Sequence, residues 1–244
     1  GKRISYFVGD ASNAYGKVTS PLWLKRGELS GTQYTPEKGW DENKLDMFRR
    51  HIIQLGTTGV FVIYDELEGK EAVTWSYLLH TVELPMEIQE LTDEVKVIGK
   101  NKAGGVSVAH LFSSAKTEQA MVDTFFCAPT NWKNVTNAQG KTLKYPNHWH
   151  FTATSEKAQV YRFATVINTH ALKYPAKDPE ILSDGRIKVG GWLISVNLKS
   201  DGAPSFFIRS TQEKVNITYK GEATVINEDG YETVMRDTVP ELEI

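Results

Sequence analysis

Apolar and polar residues alternate along much of this chain, with the period of two residues that is typical of β-strands. Runs of β-branched and aromatic residues follow this period, and turn-forming residues lie between the runs. The pattern predicts an antiparallel all-β protein without an amphipathic helix longer than two turns. The predicted strands cover residues 4–8, 47–55, 60–67, 72–81, 94–100, 105–112, 118–126, 148–154, 159–168, 186–199, 204–210, 214–219, 222–227 and 231–236.

The clearest predicted hairpin turns at residues 56–59, which read Gly-Thr-Thr-Gly. With a four-residue turn, the register places Arg50 opposite Asp65 at the end of an apolar ladder, which is a favourable cross-strand arrangement. Residues 60–64 are apolar on both faces, so the second strand is predicted to be central and covered on both sides. A partly buried structural salt bridge is the favoured role of this pair, and a catalytic role for Asp65 is the alternative.

Three stretches break the strand pattern, at residues 11–40, 129–147 and 174–179. The first two are polar and long, and such loops in a compact domain are usually functional or mobile. The third carries two prolines in six residues and is the best domain boundary in the chain. We predict a large β-sandwich over residues 1–173, a linker over 174–184 and a small β domain over 185–244.

The 244 residues include 40% apolar and 24% charged residues, the balance of an ordinary globular protein. A net charge of −2 argues against a surface committed to nucleic acid or to an anionic membrane. Nucleic acid is therefore not expected as a partner. No apolar stretch approaches the length of a membrane span, so no membrane span is expected either. A local basic cleft for an acidic polysaccharide is compatible with this charge. Cys127 is the one cysteine in the sequence, so no disulfide forms within the chain.

His148 and His150 are the most prominent candidates for a binding role. Residues two apart in a strand share a face, so both imidazoles can point at one ion or one substrate. A metal site needs a third ligand, and no spacing in the chain identifies one, so neither a metal nor a cofactor is predicted. The alternatives are contact with a sugar or an acidic group, and ordinary hydrogen bonding within the fold.

Trp40 and Trp132 lie in polar loop segments, where an indole ring suits stacking on the face of a sugar. The commoner alternative is that each tryptophan folds back and closes its own loop against the core. The sequence contains no glycine-rich phosphate loop, no paired CxxC, no HExxH and no GxSxG motif. Motifs therefore predict no catalytic residue.

Five segments of the chain, taken in order, carry a resemblance: VGDASNAY at residues 8–15, FRRHI at 48–52, VFVIYDEL at 60–67, WSYLLH at 75–80 and YPNHWHF at 145–151. They resemble the C-terminal portion of heparinase II/III-type polysaccharide lyases. The resemblance covers about residues 4–170 and implies a large, supersandwich-like two-sheet β-sandwich that is followed by a smaller β domain.

Enzymes of this type cleave uronic-acid-containing polysaccharides by β-elimination. In the family, the catalytic tyrosine and histidine and the metal-binding motif lie outside the portion that these segments resemble. The resemblance therefore carries no catalytic or metal-binding residue over to this chain. It implies that the parent protein is the enzyme, with an upstream helical catalytic domain and a periplasmic or secreted location.

Three functional hypotheses remain open. The leading one is a non-catalytic C-terminal β region of a polysaccharide lyase, which scaffolds the sandwich and contributes contacts to an acidic polysaccharide. The second is a self-standing carbohydrate-binding β-sandwich that uses Trp40 and Trp132. The third is an independent lyase or hydrolase with its site around His148, His150 and Arg50.

Overall fold

The computed structural model describes residues 3–15, 44–57, 59–82, 84–123, 138–141, 148–173 and 178–236, together with Lys25. In this part of the chain the regular structure is almost entirely β-strand, with a short 3₁₀ helix at Ser12–Tyr15. The predicted antiparallel all-β fold is confirmed. Within the described ranges, no helix is long and apolar enough to cross a membrane.

The described strands form three antiparallel sheets, which we call the central, C-terminal and short sheets. The central sheet contains, in spatial order, β1 (Ile4–Asp10), β2 (Leu45–Leu55), β3 (Val60–Val73), β10 (Ala158–Ala171), β7 (Gly105–Ser113), β6 (Val95–Lys100) and β5 (Glu87–Glu90). The C-terminal sheet contains β11 (Glu180–Ile181), β12 (Ile187–Val189), β13 (Trp192–Val196), β14 (Ser205–Ser210), β15 (Val215–Lys220), β16 (Ala223–Glu228) and β17 (Tyr231–Arg236). The short sheet contains β4 (Ser76–Val82), β9 (His148–Ser155) and β8 (Thr117–Val122).

The hairpin between β2 and β3 has the predicted register, with Arg50 opposite Asp65. Gly56 and Gly59 have φ angles of 61° and 72°, which glycine adopts at no steric cost. A Cβ atom on Gly59 would lie 2.5 Å from the Thr169 hydroxyl oxygen, so the close approach of β10 also requires glycine. Turn chemistry and tertiary packing therefore fix the same register.

Two predicted strands are interrupted in the structure. A turn at Gly190, whose φ of 53° does not fit a strand, divides the predicted strand 186–199 into β12 and β13. The predicted strand 72–81 is divided at residues 74–75, where the chain leaves the central sheet and enters the short sheet. The strands β5 and β11 escape prediction because four and two residues are too few for an alternating pattern to show.

One face of the central sheet packs on the C-terminal sheet. Val62 of β3 and Val166 of β10 lie in a single core cluster with Ile194 and Ile217 of the C-terminal sheet. All four side chains are fully buried, and each burial contributes about 1.5–3 kcal/mol relative to an exposed side chain. This layer forms a large two-sheet sandwich.

The opposite face of the central sheet packs on the short sheet. Leu111 and Phe163 of the central sheet form a second core cluster with Tyr77 of β4 and Phe151 of β9. Leu67 of β3 belongs to this second cluster, although other residues of the same strand belong to the first. The prediction that β3 is central and covered on both faces is confirmed.

The predicted domain boundary falls between the central and C-terminal sheets. Residues 174–177 lie outside the described ranges, while residues 178–184 already contain β11 of the C-terminal sheet. Both sheets contribute to the first core, so they are held together by shared apolar packing. Whether residues 1–173 and 185–244 fold as separate domains stays a prediction.

Candidate functional site

Arg50 and Asp65 form a two-pronged ion pair between β2 and β3. The distances are 2.6 Å from Arg50 Nε to Asp65 Oδ1 and 2.7 Å from Arg50 Nη2 to Asp65 Oδ2. The guanidinium carbon also lies 5.2 Å from the ring centre of Tyr77, on the inner face of the short sheet. The pair therefore joins two strands of the central sheet and touches the neighbouring layer.

The environment raises the pKa of both members of this pair, for different reasons. The Asp65 side chain is 5% exposed, and burial raises the pKa of this carboxyl although Arg50 acts in the other direction. The Arg50 side chain is 45% exposed, and its hydrogen bonds to Asp65 raise the pKa of the guanidinium. Both oxygens of Asp65 are engaged by Arg50, so the pair acts as a brace and presents no free carboxylate.

A second polar group lies inside the sandwich, between the central and C-terminal sheets. His51 is fully buried there, with Nε2 2.5 Å from Glu66 Oε1 and Nδ1 2.8 Å from the hydroxyl of Tyr6. The Thr224 hydroxyl of β16 donates to the same Tyr6 oxygen at 2.9 Å. We call these four residues, His51, Glu66, Tyr6 and Thr224, together with Arg49, Asp10 and Tyr219, the buried polar network.

Arg49 extends the buried polar network to the end of β1 and to β15. Its guanidinium donates to Asp10 Oδ2 at 3.2 Å and to the Tyr219 hydroxyl oxygen at 3.4 Å. Tyr219 donates in turn to the carbonyl of Gly221 at 2.7 Å. Burial first, and the nearby Glu66 second, raise the pKa of Tyr219 far above its ordinary value, which keeps this phenol protonated.

Arg162 of β10 supplies a further link between the two sheets. It lies directly opposite Glu66 in the register, and its guanidinium donates to the backbone carbonyls of Lys199 and Gly202. Tyr64 donates to the carbonyl of Asn197 in the same loop at 2.8 Å. The sequence did not indicate this network because Tyr219 and Thr224 lie far along the chain from the β2–β3 hairpin. The one local signal was the Arg49–Glu66 cross-strand pair.

The three histidines of the short sheet lie on its outer face. His148 and His150 share that face as predicted, because Trp149 between them packs toward the second core. His80 of β4 is the direct cross-strand partner of His150, and their ring centres are 4.2 Å apart. We call these residues the histidine cluster, and its third member, His80, could not be assigned from sequence spacing.

Burial and the neighbouring imidazoles affect the pKa of His80. Burial lowers the pKa of His80 below its ordinary value of 6.5, and the neighbouring imidazoles of His150 and His148 lower it further. His80 therefore keeps its neutral form to a lower pH than an unperturbed imidazole does. A carboxylate bound beside the cluster would favour the protonated form, since opposite charges stabilise one another.

An open groove of about 590 Å³ begins at His80 and runs along the ends of β6, β7 and β10. Its lining includes the polar side chains of Lys100, Asn101, Ser107 and His170. The Lys100 ammonium is 2.6 Å from Glu87 Oε1, and both side chains are exposed. The groove therefore offers a cation, two imidazoles and neutral hydrogen-bonding groups to a ligand.

The sequence-predicted site residues do not form one site. Trp40 and Trp132, together with Cys127, lie outside the described residues. Arg50 faces the inner side of the short sheet through Tyr77, whereas His148 and His150 lie on its outer side. Among the residues that the structure describes, no group of three or more His, Cys, Asp or Glu side chains is arranged to hold a metal ion.

The chain matches no protein-family model, and the comparison with curated proteins gives no match. The resemblance to heparinase II/III-type lyases therefore stays an expectation. Its segments are nevertheless brought together in space. Residues 48–52 pair with 63–67 in the β2–β3 hairpin, and residues 76–80 pair with 150–154 between β4 and β9.

Proposed function

We propose that this chain is the non-catalytic C-terminal β region of a polysaccharide lyase that acts on uronic-acid-containing polysaccharides. In this role it scaffolds the enzyme and contacts the substrate through the histidine cluster and the adjoining groove. The observation that carries the substrate contact is the His80–His150 pair, whose ring centres are 4.2 Å apart, with His80 exposed next to a groove that contains Lys100. An upstream helical catalytic domain and a periplasmic or secreted location belong to the same proposal.

The buried polar network supports the non-catalytic part of this proposal. β-Elimination needs a base for the C5 proton, an acid for the leaving oxygen and a cation for the uronate. Among the described residues, tyrosine, histidine, carboxylate and arginine meet in the buried polar network, where His51 has no exposed surface. A sugar ring cannot reach His51 and Glu66, which are enclosed between the sheets, so this pair stabilises the sandwich rather than acts on a substrate.

The histidine cluster supports the binding part. Each uronic acid carries one carboxylate, which a protonated imidazole or the Lys100 ammonium attracts through charge-assisted hydrogen bonds. Asn101 and Ser107 line the same groove and have the polarity to bond sugar hydroxyls. Because the pKa of His80 lies below its ordinary value, attraction for an anionic chain increases as the pH falls into the mildly acidic range.

Binding to immobilised heparan sulfate, chondroitin sulfate and alginate tests this function. We expect saturable binding of at least one polysaccharide, about tenfold tighter near pH 5.5 than near pH 7.5. The double variant His80→Gln, His150→Gln should lose this pH dependence. Leu78→Ala changes a side chain on the same outer face, two residues before His80 in β4, and should retain the pH dependence. No binding of any of the three polysaccharides at either pH contradicts the proposed contact.

A self-standing carbohydrate-binding module is the second candidate function, since the exposed histidine cluster suits it equally well. The two functions differ in whether other parts of the parent protein add to the affinity for an oligosaccharide. A self-standing module binds an oligosaccharide as tightly alone as within any longer protein. A contact region of a lyase binds it more weakly than the parent enzyme, because the catalytic domain supplies further subsites. Isothermal titration of one oligosaccharide into both proteins separates the two candidates.

A further inference from the structure

His110 of β7 is a buried titratable side chain that belongs neither to the histidine cluster nor to the buried polar network. It lies on the face of the central sheet that packs on the C-terminal sheet, because Phe112, two residues further along the strand, belongs to the first core cluster. Its direct cross-strand partners are Lys96 of β6 and Val166 of β10. A buried imidazole in such a place needs partners for both of its ring nitrogens.

The two ring nitrogens of His110 face different carboxylates. Nδ1 is 3.0 Å from Glu94 Oε2, which is a hydrogen bond, whereas Nε2 is 3.7 Å from Asp178 Oδ1. The longer distance exceeds that of a hydrogen bond, and Nε2 has no hydrogen-bond partner among the described residues. A carboxylate oxygen can only accept, so in the neutral ring Nδ1 carries the proton and Nε2 holds a lone pair. Neutral His110 therefore has one favourable contact and one unfavourable contact.

Lys96 is the other charged group that contacts Asp178. Its ammonium is 2.5 Å from Asp178 Oδ2, and its side chain is 15% exposed. While His110 is neutral, the cluster of Glu94, Lys96 and Asp178 has two negative charges and one positive charge. A proton on His110 balances these charges and also turns Nε2 into a donor for Asp178. This balance matters in a largely buried site, because water screens the charges there only weakly.

The elements on either side of His110 present their other groups differently. In β10 the cross-strand partner, Val166, is apolar. In β11 and β12 of the C-terminal sheet, Glu180 and Lys188 are exposed and lie 3.7 Å from each other. The charged groups placed against His110 are therefore the two carboxylates and the ammonium described above.

Asp178 lies where the chain passes from the central sheet to the C-terminal sheet. β10 of the central sheet ends at Ala171, and β11, the first strand of the C-terminal sheet, begins at Glu180. Lys96 first, and His110 to a lesser extent, lower the pKa of Asp178, so this group stays ionised throughout the range in which imidazoles titrate. A contact at Asp178 therefore fixes the start of the C-terminal sheet to β6 and β7.

We propose that His110 is a proton-dependent latch for this passage of the chain. When the ring is protonated, Nε2 donates to Asp178 and two cations hold the carboxylate. When the ring is neutral, Lys96 is the remaining cation and the lone pair of Nε2 repels the carboxylate. Since imidazoles change charge between about pH 5 and 8, residues 178–181 are held more firmly in mild acid than in mild base. This contact lies within the fold and is independent of polysaccharide binding.

The state of the His110 ring in the unmodified protein is the first test. Nitrogen-15 chemical shifts distinguish a protonated ring nitrogen from an unprotonated one. At about pH 8 we expect a proton on Nδ1 and none on Nε2, and at about pH 5.5 we expect protons on both nitrogens. A proton on Nε2 in the neutral ring would overturn the inference, because His110 would then already donate to Asp178. A ring in the same state at both pH values would also overturn it.

Lys96→Gln makes the attachment of Asp178 depend on His110 alone. In this variant we expect the order parameter of the Asp178 backbone amide, measured by nitrogen-15 relaxation, to be about 0.85 at about pH 5.5 and below about 0.6 at about pH 8. The unmodified protein should show a smaller difference, because Lys96 holds Asp178 at both pH values. Equal order parameters of the variant at the two pH values would contradict the latch.

Two further variants provide the controls. The double variant Lys96→Gln, Asp178→Asn also removes the exposed carboxylate that His110 would bind, and it should abolish the pH difference of Lys96→Gln. Lys102→Gln changes an exposed lysine in the turn after β6 and should behave as the unmodified protein does. A pH difference that persists in the double variant would assign the effect to other groups and would overturn the inference.

Discussion

Two histidine-containing groups in this molecule consist of similar residues and differ in their surroundings. His51 lies within the sandwich, has no exposed surface and contacts Glu66 and Tyr6 at 2.5 and 2.8 Å. His80 lies on the outer face of the short sheet, with its ring centre 4.2 Å from that of His150, and lines an open groove. The first group has its partners supplied by the protein, whereas the second can take partners from solution.

The difference shows that residue type alone does not distinguish a structural polar group from a binding site. The tyrosine, histidine and carboxylate of the buried polar network are the types that acid–base chemistry uses, yet the sheets enclose them. Buried polar groups with full hydrogen bonding specify how two layers pack, and loss of one partner is costly. The exposed His80 imidazole is expected to contribute little to stability, and it lies where a ligand can reach it.

Removal of Glu66 should have the largest effect on stability. Glu66→Ala leaves the buried His51 ring without its carboxylate partner and removes the negative charge that lies opposite Arg49 and Arg162 in the register, so we expect the free energy of unfolding to fall by about 3–5 kcal/mol. Glu68→Ala changes an exposed carboxylate of the same strand and should cost less than about 0.5 kcal/mol. Urea denaturation measures the free energy of unfolding of both variants. Equal losses would show that the buried polar network does not stabilise the sandwich.

Separation of Arg50 from Asp65 should have the next largest effect. Arg50→Ala leaves a buried carboxylate whose pKa burial already raises, and we expect a loss of about 3 kcal/mol, at the lower limit for buried pairs because Arg50 is partly exposed. The double variant Arg50→Met, Asp65→Val replaces the pair by apolar side chains and should recover most of this stability. A double variant as unstable as the single one would indicate a role other than packing.

The register of β2 and β3 could be predicted because two turn glycines and an apolar ladder lie within twenty residues of one another. The buried polar network could not, because Arg49 and Tyr219 are 170 residues apart and meet only once the sheets stack. For the same reason, the sequence did not place His80 beside His150, because this position depends on the pairing of β4 with β9. Local patterns identify strands, whereas sites between strands require the topology.

Substitution in the histidine cluster should leave stability almost unchanged. We expect His80→Gln, His150→Gln to alter the free energy of unfolding by less than about 0.5 kcal/mol at neutral pH, since both side chains lie on an outer face. The contrast with Glu66→Ala is the direct test of the comparison. A large destabilisation by the histidine variant would indicate that the histidine cluster has a structural role rather than a ligand-binding role.

The pH dependence of His80 gives the smallest effect. Its pKa in the folded state is lowered, so its contribution to stability is complete above the ordinary value of 6.5 and decreases as the pH falls below it. His150→Gln removes one neighbouring imidazole and should raise the pKa of His80. Titration of the His80 ring protons by NMR measures this shift, and an unchanged pKa would mean that the two imidazoles are not electrostatically coupled.

The central claim is that this chain contacts an acidic polysaccharide without cleaving it. Incubation of the protein at high concentration with heparan sulfate, chondroitin sulfate and alginate in mild acid tests both parts, when co-sedimentation and the ultraviolet absorbance of unsaturated uronate are followed together. We predict binding of at least one polysaccharide with no increase in absorbance. An increase that depends on protein concentration, or the absence of binding to all three, would contradict the account.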